Sequence, residues 1–363
     1  MVSIPDENNV TFQFLGRSGL KVSNLCLGTM TFGESSWGLP GQSDEDLSHQ
    51  ILNRYAEWGG NFLDTADVYG LGKSETIVGK WLQTQPRDKF VIATKCGFNM
   101  GKQEDINNVG LSRRRITESI DLSLQRLHTD FVDLYQTHIF DDGTPLEETL
   151  RTLDDLVRVG KIRYIGLSNV TGWQVQKLVD TTQRLGLNSV VSLQQQYNLL
   201  TRESEFEAFQ VCKNEGLGLL PWSPLKWGIL TGKLTRGVTP TEGRAGFTPK
   251  AFPFMSDLTD RAFDIVDTVK DIAKKHGRSV PQVAIRWLLQ KDVVTSVIVG
   301  ARTLQQLDDN MAAANGWSLT KEEMQRLDDV SAPKLLYPYD MVFTTNENRR
   351  NPTTSNFYVK STL

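Results

Sequence analysis

The sequence predicts a (β/α)8 barrel of the TIM type. Three observations lead there. Short apolar runs alternate with amphipathic helical stretches through most of the 363 residues. The runs number eight, and eight parallel strands close on themselves around a packed interior. No G-x-G-x-x-G follows the first run, which counts against the doubly wound open sheet that the same periodicity admits.

In chain order the runs are Leu25–Gly28, Asn61–Leu63, Phe90–Thr94, Phe131–Gln136, Tyr164–Leu167, Val190–Leu193, Leu217–Leu220 and Ser296–Val299. Between them lie helical stretches: Asp44–Trp58 with Ser43 as N-cap, Ser112–Arg126, Pro145–Val159, Trp173–Leu185, Glu203–Asn214 and Pro281–Gln290. Parallel neighbours require crossover connections, and helices supply them with right-handed sense. Three segments stand outside the repeat. Thr11–Leu15 and Leu20–Val22, joined by Gly16-Arg17-Ser18-Gly19, read as a hairpin that plugs the barrel floor. A long stretch from Ser223 to Asp257, rich in Gly, Pro and Thr, follows the seventh strand and precedes a helix near Leu258; loops of that length in compact domains are commonly functional. Ala332–Leu363 is a tail with Tyr337-Pro338-Tyr339 and little periodicity. No linker or internal repeat divides the chain. Residues 1–363 are therefore expected to form a single domain, with a core of about 12–330 and a tail over 331–363.

Composition excludes several functions. Apolar residues are 39%, charged residues 23% and the net charge is -3, an ordinary globular mix without the basic surface of a nucleic-acid or anionic-membrane binder. Cys26, Cys96 and Cys212 are odd in number, far apart and form no C-x-x-C, which fits a reducing compartment and not a disulfide or zinc framework. His49, His128, His138 and His276 have no metal-ligand spacing, so no metal is expected. Met1–Asn9 lacks the regions of a signal peptide, no apolar run spans a bilayer, and Ser361-Thr362-Leu363 lacks the basic residue of a peroxisomal address. A cytoplasmic protein without nucleic-acid or membrane partners is the expectation; oligomerisation stays open.

A barrel of this kind builds its site from residues just beyond the strands' C-terminal ends. The second run leads into Asp64-Thr65-Ala66-Asp67-Val68-Tyr69-Gly70, the third into Lys95, the fourth into Thr137-His138. Neighbouring strands thus bring Asp64, Lys95 and His138 to one rim, with Tyr69 five residues beyond the aspartate. A tyrosine hydroxyl has a pKa near 10 and is a poor acid unless a nearby cation stabilises its phenolate. Lys95 supplies that cation, and Asp64 holds it. Proton donation from such a group contributes about 10²–10⁴-fold to rate. His138 can hydrogen-bond and orient a substrate oxygen. The acceptor is then a carbonyl that receives a hydride from elsewhere.

Six segments carry a family resemblance: Gly28-Thr29-Met30-Thr31-Phe32-Gly33, Asp64-Thr65-Ala66-Asp67-Val68-Tyr69-Gly70, Ala93-Thr94-Lys95, Gly166-Leu167-Ser168-Asn169, Gln196-Tyr197-Asn198-Leu199-Leu200 and Ser223-Pro224-Leu225. In order, spacing and strand position they resemble the signatures of the aldo-keto reductases, from about Phe12 to about Asp329. The early hairpin and the long loop are most similar to the bacterial-type branch that includes the potassium-channel beta subunits. The resemblance implies a cofactor, NADP(H), bound across the barrel mouth without a Rossmann fold, and reduction of a small-molecule aldehyde or ketone. It implies that Asp64, Tyr69, Lys95 and His138 are the catalytic four, with Tyr69 as general acid. It assigns Ser168, Asn169 and Gln194 to the nicotinamide carboxamide and Trp222 to stacking on its ring. It assigns Ser223, Pro224, Leu225, Lys226, Gly228, Leu230 and Lys233 to the pyrophosphate, and Gly300, Arg302, Gln306, Asp309 and Asn310 to the adenosine end, with Gly28, Thr29 and Met30 also at the cofactor. Many NADP-preferring members carry basic residues where this chain has Gln306 and Gly300; Arg302 is the residue here that can fork onto a 2′-phosphate.

Trp37, Val68, Phe98 and Trp227 are candidate walls of an apolar substrate pocket, and Phe247–Met255, with Phe252 and Phe254 among prolines, a candidate lid. Tyr337 and Tyr339 are candidates to pack on the barrel's outside. Two readings compete: a cofactor-sensing regulatory subunit resembling the channel beta subunits, and a cofactor-free barrel isomerase or hydrolase, which leaves Gln194, Trp222 and Gly300–Asn310 without a role.

Overall fold

The computed structural model describes residues 10–33, 42–101, 104–234, 236 and 259–346. Two strands, β1 (Phe12–Phe14) and β2 (Lys21–Ser23), pair antiparallel ahead of the barrel. Eight more follow: β3 (Leu25–Gly28), β4 (Phe62–Asp64), β5 (Val91–Cys96), β6 (Val132–Thr137), β7 (Ile162–Ser168), β8 (Val190–Gln196), β9 (Gly218–Trp222) and β10 (Val297–Val299). They form one parallel sheet in the order β10-β3-β4-β5-β6-β7-β8-β9. The seam between β9 and β10 is drawn together by a bridge from Leu219 to Val294 and by the amides of Thr295 and Ser296, which donate to the Leu219 carbonyl at 2.9 and 3.4 Å. The fold is thus the expected (β/α)8 barrel, with the hairpin in front of it.

Each apolar run became one strand. Several strands continue past the end of the run, into Asp64, Lys95-Cys96, Thr137, Ser168 and Gln194–Gln196. There the residues change from apolar to polar while the backbone stays extended, so hydrophobic pattern alone stops short.

Alternation explains why. Side chains on a strand point to opposite faces with period 2. Cys26, Phe62, Val91, Ala93, Leu134, Leu220 and Ile298 pack inside the barrel, while Leu25, Leu27, Leu63, Ile92, Val297 and Val299 pack outward against the helices. Continuing the inward columns by two residues reaches Asp64, Lys95, Gln136 and Trp222. The site is the polar top of the same columns whose apolar base fills the barrel.

The hairpin closes the other end. Leu15 and Val22 are fully buried and join the interior cluster. The turn lies against the N-terminal end of β9: the Arg17 amide donates to the Gly216 carbonyl at 2.8 Å. Gly16 sits at φ 56°, and a Cβ there would collide with the carbonyls of Val191 and Gly216, so this position demands glycine.

The helices are α1 (Glu45–Glu57), α2 (Lys73–Leu82), α3 (Arg113–Leu127), α4 (Leu146–Arg158), α5 (Gly172–Leu185), α6 (Ala208–Glu215), α7 (Asp260–His276), α8 (Val280–Leu289), α9 (Leu304–Met311), α10 (Lys321–Val330) and α11 (Tyr339–Thr345). Four expectations need correction. Helix α1 is capped by Asp44, which accepts from the Leu47 amide at 2.9 Å; Ser43 instead exchanges backbone bonds with Thr31 and Gly33. Helix α2 was hidden because its buried face carries Ser74 and Glu75 among its apolar residues. The stretch Glu203–Asn214 is a 3-10 turn at Glu203–Phe206 followed by α6, broken where Glu207 leaves helical geometry (φ -140°, ψ -59°). The tail contains α11: Tyr339 stacks on Phe206 at 4.9 Å and donates to Glu207 at 2.7 Å, while Tyr337 is 79% exposed. No helix among the described residues is long and apolar enough to cross a membrane.

Leu15→Ala empties a side chain from the barrel floor and is expected to cost about 2–5 kcal/mol, read from urea unfolding. A loss below about 1 kcal/mol would mean that the hairpin lies on the barrel without plugging it.

Candidate active site

At the barrel mouth the Lys95 ammonium is fully buried, and each of its three hydrogens has an acceptor. It donates to Asp64 Oδ2 at 2.6 Å, to the Thr65 carbonyl at 2.8 Å and to Tyr69 Oη at 3.3 Å. Asp64, 2% exposed, is held in turn: its Oδ1 accepts from Gln136 Nε2 at 3.0 Å and from Gln194 Nε2 at 2.8 Å. Gln194 Nε2 also reaches Gln136 Oε1 at 3.2 Å. Each of these groups stands within two residues of the end of its own strand, β4, β5, β6 or β8. The carbonyl of Asp64 receives both the amide (2.9 Å) and the hydroxyl (3.1 Å) of Thr29.

Tyr69 begins a 3-10 turn, Tyr69–Gly72, whose glycines sit at φ 57° and 93°. Because its oxygen accepts from Lys95, its own O–H is directed elsewhere. His138 lies edge-on to Tyr69 with ring centroids 5.8 Å apart, and Phe98 lies edge-on to His138 at 4.6 Å. The Nδ1 of His138 is buried without a hydrogen-bond partner in the structure.

Electrostatics follow from burial. Desolvation pulls the Lys95 pKa down, but Asp64 and then Tyr69 outweigh it and hold the ammonium above its usual range. Burial pushes the Tyr69 hydroxyl up; Lys95 opposes this and Asp64 adds to it, leaving a net rise. The lysine therefore moderates a tyrosine that burial makes a weaker acid, where the sequence suggested a tyrosine tuned down toward neutrality. His138 is held well below its usual range by burial and by Lys95, so the imidazole is neutral at ordinary pH.

The residues assigned to the cofactor fall into two groups. Trp222, at the end of β9, donates from Nε1 to Asn169 Oδ1 at 3.2 Å, and Asn169 Nδ2 donates to the His138 carbonyl at 2.9 Å. The indole is thereby tied through Asn169 to the backbone of His138, just after β6. Ser168 Oγ is buried beside them with no partner in the structure. After β9 the chain passes through left-handed geometry at Ser223 (φ 55°), Lys226 (φ 41°) and Trp227 (φ 55°). Asn198 donates to the Ser223 carbonyl at 2.9 Å and Lys226 Nζ donates to Thr201 Oγ1 at 2.8 Å, so the loop after β8 braces the loop after β9. The segment around Gly28–Met30 abuts the second group, Gly300 to Asn310, where β3 and β10 pair. There Gln306 accepts from the Arg302 amide at 3.0 Å, Asn310 donates to the Gly300 carbonyl at 3.2 Å, and Asp309 accepts from Ser279 and Gln282 at the start of α8. Arg302 is half-buried and makes no ion pair among the described residues. Lys233 is exposed and Leu230 is buried in the core.

Of the suggested pocket walls, Phe98 and Trp227 are half-buried at the mouth, with Trp227 6.5 Å from Trp222, and Val68 is buried. Trp37, the Phe247–Met255 segment and residues 347–363 lie outside the described residues. Gln136 escaped the sequence reading. It stands on β6 two residues beyond the inward-facing Leu134, and counting by twos would have found it.

The chain as a whole is similar to known proteins. The aldo/keto reductase family model matches residues 24–332. The chain is 38% identical over 341 residues to the versiconal hemiacetal acetate reductase of Aspergillus parasiticus, covering 89% of this chain and 98% of the relative. It is 36% identical over 327 residues to an uncharacterized oxidoreductase of Bacillus subtilis, covering 88% and 95%. It is 34% identical over 329 residues, covering 89% and 93%, to a Schizosaccharomyces pombe protein with the provisional name of a voltage-gated potassium channel beta subunit. With a family model across most of its length and relatives that match most of both chains, this chain belongs to the aldo/keto reductase family, a family of oxidoreductases.

Proposed function

We propose that this protein is an NADP(H)-dependent carbonyl reductase that converts an aldehyde or ketone to the alcohol, with Tyr69 as the proton donor. One observation carries the reading: Lys95 donates to Tyr69 Oη and to Asp64 at once, inside the barrel mouth. Tyr69 keeps its proton at neutral pH, as an ordinary tyrosine does, and burial pushes its pKa further up. When a carbonyl oxygen becomes an alkoxide, it is a far stronger base than the phenol, and the proton passes from Tyr69 Oη to it. Lys95 stabilises the phenolate left behind, and Asp64, fixed by Gln136 and Gln194, keeps the ammonium in place. His138, neutral, donates its single ring N–H to the same oxygen without adding charge.

The residues fit the implied cofactor. Ser168 Oγ is a buried polar atom in want of a partner, the Trp222 ring is pinned by Asn169, and Gly228 has open space where a Cβ would project. Ser168, Asn169, Gln194 and Trp222 would hold the nicotinamide end, the Ser223–Lys233 segment the pyrophosphate, and Gly300–Asn310 the adenosine end. Bound NADP(H) would supply the hydride. Arg302 is the residue we assign to the 2′-phosphate. Phe98 and Trp227 would wall the substrate. A cytoplasmic setting is supported by three free, buried cysteines. The competing reading, a cofactor-sensing regulatory subunit, is favoured by the likeness to the channel-named relative; tight NADPH binding with no turnover on any carbonyl would establish it.

Tyr69→Phe is expected to reduce carbonyl turnover at least about 100-fold while NADPH still quenches tryptophan fluorescence; retained turnover contradicts the proton-donor role. Arg302→Ala is expected to raise KM for NADPH roughly tenfold and to leave KM for NADH unchanged. An equal effect on both cofactors would place the 2′-phosphate contact elsewhere.

A further inference from the structure

A second buried ion pair lies directly behind the first. Asp67 sits two residues before Tyr69, and its amide donates to the carbonyl of Lys95 at 3.2 Å. Its carboxyl group is 1% exposed and accepts from Arg115 Nη2 at 3.0 Å. Arg115, on the first turn of α3 and 2% exposed, also sends Nη2 to the carbonyl of Phe98 at 3.4 Å. Phe98 is the residue whose ring rests on His138. One guanidinium therefore grips both loops that flank the site, the one bearing Tyr69 and the one bearing Phe98.

As a contribution to stability this is a poor arrangement. Asp67 Oδ1 and Arg115 Nε are buried without hydrogen-bond partners in the structure. An ion pair that leaves such atoms unsatisfied is commonly matched or bettered by apolar side chains of the same volume. What apolar side chains cannot do is tie two loop backbones together in a set geometry. We propose that Asp67 and Arg115 are positioning residues, a charged clamp that sets Tyr69 and the Phe98–His138 wall for proton transfer; this rests on the reductase reading above.

The clamp is expected to respond to pH. The groups facing Asp67 are Arg115 and Arg126 from α3, Glu75 from α2, Cys96 from β5 and Tyr135 from β6. Burial, then Glu75, pushes the Asp67 carboxyl up to about 7 against the pull of Arg115 and Arg126. Cys96 is pushed up to about 12 and Tyr135 well above its usual range, so both stay neutral. Tyr69 and Lys95 are also held high and His138 low, so none of the three titrates near neutrality. Above about pH 7 the clamp is an ion pair; below it, Arg115 faces an uncharged acid. The sign for stability is opposite to that for catalysis. An acid whose folded pKa is raised holds its proton in the folded chain where the unfolded chain has lost it. Between about 4, its unfolded value, and about 7, this group's contribution to stability falls as pH rises, while turnover rises.

The test measures kcat and KM against pH for wild type, Asp67→Asn and Arg115→Lys, with urea unfolding over the same range. Wild type is expected to show an acid limb in kcat near pH 7. Asp67→Asn keeps the volume and loses the charge; its kcat is expected to fall about 10–100-fold with the acid limb abolished and KM for NADPH within about twofold. The Asn variant is also expected to lose the fall in stability between about pH 4 and pH 7 that Asp67 gives wild type. Arg115→Lys keeps a charge but loses the fork, and its kcat is expected between the two, with the acid limb retained. Wild-type kcat in Asp67→Asn, an acid limb unchanged in it, or no acid limb in wild type would each overturn the clamp. The last needs no variant to fold. If no carbonyl is turned over, the reductase reading fails first, and hydrogen exchange decides the clamp alone. Joint loss of protection in residues 66–72 and 97–101 of Asp67→Asn supports it, and unchanged protection overturns it.

Discussion

A lysine ammonium inside a protein interior is tolerated only where its charge and all its hydrogens are answered. Lys95 is fully buried, and the rest of the site is organised by the need to satisfy it. Asp64 takes the charge, the Thr65 carbonyl takes one hydrogen, and the remaining one is left for Tyr69. Gln136 and Gln194 complete the coordination of Asp64 and so fix where the ammonium sits. Tyr69 Oη is thus the third acceptor of an ammonium whose other two are Asp64 and the Thr65 carbonyl.

The barrel makes this network affordable in structural terms. Parallel strands end at one rim, and the inward columns can change from apolar to polar over a single step of two residues. Phe62 gives way to Asp64, Ala93 to Lys95, Leu134 to Gln136 and Leu220 to Trp222. Below that level the interior is an apolar core that includes Leu15 and Val22 of the hairpin. A charged pair set just above an apolar plug interacts strongly, since the surrounding medium screens it little. Burial also raises the pKa of Tyr69 above its ordinary value, against the pull of Lys95.

Much of this was legible in the sequence. Eight runs marked eight strands, and Gly16 in a short turn between two extended segments marked the hairpin. Asp64, Tyr69, Lys95 and His138 were visible as polar residues beyond apolar runs, and the structure brings them together. What was hidden had physical causes. Helix α2 carries buried Ser74 and Glu75, which answer Thr29 and Arg126, and those polar residues erased the helical stripe. Gln136 was read as the last residue of a strand because glutamine carries no charge to draw attention. Arg115 is the last of three consecutive arginines, and only the fold reveals that it alone of the three is buried, to 2%, and paired with Asp67. Asp44 and Ser43 are both good caps, and sequence could not separate them because the decision rests on a backbone pairing of Ser43 with Thr31.

Lys95 Nζ lies 3.3 Å from Tyr69 Oη, and its charge pulls the Tyr69 pKa down against burial. The most direct measurement is the NMR titration of tyrosine labelled with carbon-13 at Cζ, with the Tyr69 resonance assigned by its loss in Tyr69→Phe. In wild type Tyr69 is expected to remain a phenol through neutral pH, and in Lys95→Met its titration is expected to move to still higher pH. A Tyr69 that ionises at neutral pH, or one whose titration is unmoved by removal of Lys95, would contradict the account.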